Sequence, residues 1–161
     1  MADEEIGAQP SQPQMNVLTQ YVRRCVFENS AAINGKQPGS QPTINVQVNI
    51  ETNDLEQNRY AVALLLTIET MNGDDEVFAV ELDYVGVFQL ANVPENALNA
   101  VLSIECPRLM FPFARRIIAE STRDGGYPPL MLDPIDFAAL YRQQRAREAG
   151  QAAEPAATAE A

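Results

Sequence analysis

The chain has 161 residues, 22 acidic against 11 basic side chains, a formal net charge of −11 and no histidine. Its length fits one domain, and its negative field repels phosphate backbones, which excludes a nucleic-acid partner and favours a basic one. The longest apolar run, Tyr60–Leu66, is far below the ~18 residues a membrane helix needs, so no direct membrane insertion is expected.

The charge is unevenly placed. Residues 1–106 hold fifteen acids and four bases, whereas residues 107–161 hold seven of each. The acidic field therefore belongs to the first two-thirds of the chain. The opening MADEEIGAQPSQPQ has neither the basic residues nor the apolar run of a secretory signal, and a cytoplasmic, reducing location is the expectation. Cys25 and Cys106 fit no metal or redox spacing and read as small buried apolar residues.

Residues 1–14 and 150–161 are rich in Gln, Pro, Ala and acids, too polar to order themselves, and are predicted to be disordered tails around a domain at 15–149. Met15–Glu28 is the first strand, with neither face cleanly polar. The loop 29–41 carries Asn34-Gly35 and Pro38-Gly39. It is longer than a hairpin needs and is expected to cross over the sheet. Thr43–Thr52 is the clearest strand: Ile44, Val46, Val48 and Ile50 point one way, and Asn45, Gln47, Asn49 and Glu51 the other.

Arg59–Thr70 is a strand with Tyr60, Val62, Leu64, Leu66 and Ile68 on one face and Ala61, Ala63 and Leu65 on the other. A strand apolar on both faces is covered on both, and one chain has helices for only one side, so a second protomer or a partner is expected on the other. Asn72-Gly73 makes a hairpin turn. In the next strand, Glu76–Leu90, Glu81 and Asp83 share a face with Val77, Ala79, Val85 and Val87.

A helix opens at Pro94 with the stripe Ala97, Leu98, Val101 and Leu102. Cys106-Pro107 and Pro112 are expected to disrupt or kink it. From Phe113 it resumes, and it stops at Gly125-Gly126, where glycine can take the positive φ of a C-cap. Asp133-Pro134 is expected to start the last helix. Its stripe of Phe137, Leu140 and Tyr141 is narrow, so the helix lies over a surface and can leave a groove along its edge.

Little here supports catalysis. Without histidine the commonest general base and metal ligand is missing. Ser103 and Ser121 have no base near them in sequence, and Gly125-Gly126 matches no phosphate loop. No enzyme activity, metal or cofactor is expected.

The stretch CPRLMFPFARRIIAESTRDGGYPPLMLDPIDFAALY, from Cys106 to Tyr141, resembles the C-terminal half of the SecB family of bacterial protein-export chaperones. The matching marks are Cys106-Pro107, Phe111-Pro112-Phe113-Ala114-Arg115, Tyr127-Pro128 and Leu130 to Tyr141, with Tyr21, Phe27-Glu28, Pro42, Tyr60, Glu81 and Gly86-Val87-Phe88 upstream.

The resemblance implies an α+β protomer, a four-stranded antiparallel sheet with helices on one face, assembled as a homotetrameric dimer of dimers. It implies a chaperone that holds unfolded precursor proteins in apolar grooves and delivers them to the SecA motor. An alternative within the same fold is a chaperone outside export, for example one serving a toxin–antitoxin pair. Carried over, the groove residues are Ile44, Val46, Val48, Phe137, Leu140 and Tyr141, of which some are expected to be plain core. The SecA-binding surface is Glu28 and Glu81, with Asp83 beside them. Arg24 stands where the family often has an aspartate, Ala79 where it has a leucine, and Gly39-Ser40 where it can carry a tryptophan.

Overall fold

The alternation of the first ninety residues becomes four long strands in the computed structural model, which describes residues 11–35 and 41–152. They are β1 (Gln14–Glu28), β2 (Thr43–Asp54), β3 (Arg59–Asn72) and β4 (Asp75–Ala91). All neighbours are antiparallel, in the order β1-β4-β3-β2. The link between β1 and β2 thus joins opposite edges of the sheet, the crossover that its length predicted. It holds one helical turn, α1 (Ser30–Ile33), whose Ala31 is buried. The tails at 1–10 and 153–161, and Gly39-Ser40, lie outside the described residues. Order begins before the expected boundary at Met15, since Gln14 pairs with Ala91 and Asn92 Nδ2 donates to the Gln12 carbonyl at 3.3 Å.

Period-two placement sends one side chain in two to the helices. Val62, Leu64, Leu66 and Ile68 of β3 and Val80, Leu82 and Phe88 of β4 are buried there, each contributing about 1.5–3 kcal/mol. Leu102, Cys106, Met110, Ala114 and Ile118 cover them from one helical rod. Val77 departs from the expected alternation: the register of β3 against β4 shifts at Thr70/Met71, and Val77 is buried in the core. Gly86 has a spatial reason, because a Cβ there would sit 2.7 Å from the Phe88 ring and 3.2 Å from the Met110 sulfur.

The rod is continuous, which corrects the expected break. It runs as α2 (Glu95–Ala100), a π turn at Val101–Glu105 and α3 (Cys106–Asp124). The Cys106 N–H reaches back to the Val101 carbonyl, the wider spacing of a π turn. Pro107 follows directly. It has no N–H to place, and the widened turn upstream relieves the clash its ring makes with a regular preceding turn. Pro112 lies inside α3 without ending it. At the other end Pro94 stands before α2 as its cap and not as its first residue.

α3 ends in a Schellman motif. The Tyr127 N–H donates to the Thr122 carbonyl at 3.1 Å and the Gly126 N–H to Arg123 at 3.0 Å, with Gly126 at φ +92°. Gly125 is the residue before it, at an ordinary φ of −74°. An aromatic corner locks this end to the sheet: Phe27 packs on Phe78 with ring centroids 5.7 Å apart, and Phe78 on Tyr127 at 4.8 Å. The Tyr127 hydroxyl donates to Asn29 Oδ1, and Asn29 Nδ2 donates to the Gly125 carbonyl at 2.8 Å.

α4 (Phe137–Ala152) begins later than expected, and its end runs past the domain boundary expected at 149. Asp136, not Asp133, is its cap: Asp136 Oδ1 accepts from the Ala139 N–H at 3.0 Å. The arm before it stays extended because Leu132 is buried and Leu130 and Ile135 pack on the core.

The cysteines differ. Cys106 is buried, its Sγ 3.5 Å from the Met15 sulfur, and burial, with Glu105 adding, pushes its thiol up to about 12. Cys25 is exposed, contrary to the expectation of a buried residue. Because the thiolate is the reactive form, a maleimide at pH 7.5 is expected to modify one thiol per native chain, with Cys25→Ser abolishing the reaction. Mass spectrometry checks this, and rapid modification of Cys106 in the native chain would contradict it.

Candidate functional site

β2 ends the sheet on one side, so among the described residues no strand lies beside its outer edge. Its helix-side residues grade along the strand: Ile44 and Val46 are 43% and 42% exposed, whereas Val48 and Ile50 pack partly against the core. α4 lies alongside. Between them is a hollow of about 240 Å³, walled by Val48 and Ile50 from β2 and by Leu140, Tyr141 and Arg147 from α4, with Ser103 of the π turn. A second hollow of about 210 Å³ shares Ser103 and Tyr141 and continues to Thr52 and Asn99. The Tyr141 ring is steadied by Arg145, whose guanidinium carbon lies 5.7 Å from the ring centroid and whose Nη1 donates to the hydroxyl at 3.3 Å.

Val48, Leu140 and Tyr141 therefore meet in one hollow, and Ile44 and Val46 extend its apolar strip along β2. Phe137 does not join them. It is 1% exposed and packs edge-on against Phe111 at 6.0 Å and 70°. As the first residue of α4, it anchors the helix in the core beneath the hollow.

Among the described residues, no helix lies on the other sheet face. Glu81 and Asp83 stand there half-buried and Glu28 is exposed at the end of β1. Ala61, Ala63, Val85 and Val87 floor a hollow of about 430 Å³ on this face, bordered by Tyr21, Arg23 and Glu51. Two of the acids are in ion pairs, Glu81 with Arg24 and Asp83 with Arg23 at 3.6 Å. Arg23 is a residue that sequence reasoning passed over. Its reach onto this face depends on a strand irregularity that no turn residue announces.

Comparisons with known proteins bear on this arrangement. The family model described as preprotein translocase subunit SecB matches residues 8–148. A protein-export protein SecB from Parvibaculum lavamentivorans is 52% identical over 153 residues, covering 92% of this chain and 91% of that protein. One from Rhodopseudomonas palustris is 49% identical over 149 residues, covering 90% and 94%. A solved SecB-like chaperone of Mycobacterium tuberculosis, in complex with an antitoxin peptide, shares the fold at TM-score 0.64 and 14% identity, covering 75% of this chain and 90% of that one. With a four-stranded antiparallel sheet, a one-sided helical layer and half-identical relatives over nearly its whole length, the chain belongs to the SecB family of protein-export chaperones.

Proposed function

We propose that the strip Ile44–Val46–Val48 and the wall of Leu140 and Tyr141 form the client groove of this export chaperone. The carrying observation is the join between them: exposed apolar residues of an edge strand run into a hollow walled by α4. An extended non-native segment fits there, its backbone along β2 and its apolar side chains in the hollow. Backbone contact gives tolerance of sequence, and each large side chain buried adds about 1.5–3 kcal/mol. The protein binds its clients and does not transform them.

Two further parts complete the reading. Glu28, Glu81 and Asp83 form a docking face for SecA, the acidic counterpart of a basic segment. Four copies assemble as two pairs in the cytoplasm, with the exposed apolar residues Val17, Leu18, Val22, Leu109 and Phe113 as material for the contacts.

The test is client binding by the full-length chain. Val46→Asp with Tyr141→Ser is expected to weaken binding of an unfolded, fluorescently labelled client about tenfold or more, since two apolar contacts are lost. Native mass spectrometry should still give four copies of that variant. Undiminished client affinity in an intact tetramer would move the groove elsewhere.

A further inference from the structure

Arg23 and Arg24 are neighbours in sequence, yet both guanidinium groups reach the helix-free face of the sheet. In a regular strand, successive residues point to opposite faces. Here the register of β1 against β4 shifts between Val22 and Arg24, and Arg23 is the extra residue. Arg24 Nη1 bonds a Glu81 oxygen. Arg23 Nη2 lies 3.6 Å from Asp83 on β4 and 3.7 Å from Glu51 on β2. β1 and β2 are opposite edges of the sheet, so Arg23 and Glu51 meet over its middle. The row between them is Val85 and Ala63, whose short side chains leave room for the crossing.

These pairs do little for the fold. Arg23 and Arg24 are 48% and 53% exposed, and exposed ion pairs contribute ~0–1 kcal/mol. Their effect falls on recognition. Each guanidinium occupies a carboxylate that a cationic partner would use, and each is weakly enough held to be displaced.

We infer that Arg23 and Arg24 are built-in competitors for the acidic face, so that a partner docks there only by presenting clustered cations that displace both. The inference rests on the reading of this face as the SecA-docking surface and gives that surface its selectivity. An isolated lysine in an unfolded client meets carboxylates already paired, and a clustered basic segment replaces both guanidinium groups together.

The experiment titrates purified SecA, and separately a short oligolysine peptide, into the full-length chain at low salt. R23Q/R24Q is expected to bind both probes about tenfold more tightly than the natural chain, the scale on which face charges act on association. R108Q/R123Q, which removes the same charge from α3, is expected to leave both affinities unchanged. E81Q/D83N is expected to weaken both. Equal or weaker SecA binding by R23Q/R24Q overturns the competitor role while leaving the docking reading intact. Equal tightening in R108Q/R123Q reduces the effect to net charge and also overturns it. If SecA ignores E81Q/D83N, the docking reading fails, and the oligolysine titration then decides the competitor role alone: tighter binding to R23Q/R24Q upholds it, unchanged binding overturns it.

Discussion

Phe137→Ala is expected to destabilise the chain by about 3–5 kcal/mol, the range for removing a fully buried phenylalanine and leaving a cavity. The ring is 1% exposed and loses its edge contact with Phe111 at 6.0 Å, a geometry that adds ~0.5–1.5 kcal/mol beyond area. Position raises the cost. Phe137 opens α4, so its loss frees the helix that carries Leu140 and Tyr141, and client binding falls as a consequence of lost structure. Tyr141→Ala, at a half-buried site steadied mainly by Arg145, is expected to cost only ~1 kcal/mol, within the range for ordinary substitutions, while weakening client binding directly. Urea denaturation at one fixed protein concentration separates the two, because the proposed assembly would tie stability to concentration. A Phe137→Ala chain of natural stability that fails to bind clients would put that ring in the groove wall.

Gly125→Ala is expected to cost ~3 kcal/mol, the upper part of the usual overpacking range. Its backbone is ordinary, so the objection is space alone: an added Cβ would stand 2.4 Å from Phe27 Cζ, 2.5 Å from Cε1 and 3.3 Å from the Thr122 carbonyl oxygen. The Phe27 ring has no easy retreat, since it is backed by Phe78, itself held by Tyr127. Phe27→Leu in the Gly125→Ala background should therefore recover part of the loss, and thermal unfolding of the four chains of that cycle measures the coupling. Gly126 makes the contrast. Nothing lies within 4 Å of a Cβ there, but φ is +92°, so Gly126→Ala carries a conformational penalty that no change at Phe27 repairs. A Gly125→Ala chain as stable as the natural one would contradict the close approach.

What the sequence made legible was set by period. Ile44 to Ile50 alternate cleanly and form β2; the turn between β3 and β4 falls where expected to within one residue, on Gly73 and Asp74 beyond the paired Asn72, with Gly73 at φ +63°. Glu81 and Asp83 share a face for the same reason. The hollow beside α4 is foreshadowed by the narrow stripe of that helix, but periodicity places Phe137, Leu140 and Tyr141 on one side of a helix without saying how deep each sits. Depth came from the extended arm: buried Leu132 holds the chain down until Phe137 enters the core. Either Asp133 or Asp136 is chemically fit to cap α4, and that same arm decides for Asp136. Pro107 looked like a break because a sequence shows the missing N–H and not the π turn upstream that accommodates it. The bulge at Arg23 left no mark at all, since an arginine is ordinary in a strand and the shift is a property of pairing with β4.

The strand order also has a consequence in time. β2, β3 and β4 are a local meander, but among the described strands β1, made first, has β4 as its one partner: Gln14 meets Ala91 and Glu28 meets Ala79. At ~5–20 residues per second, the interval from Glu28 to Ala91 takes roughly 3–13 s to synthesise. Until the end of that interval β1, with Val17, Leu18, Tyr21 and Val22, lacks its full partner among the described strands. A member of a family of export chaperones thus spends its own first seconds displaying an unpaired apolar segment, itself a non-native chain of the kind such chaperones meet.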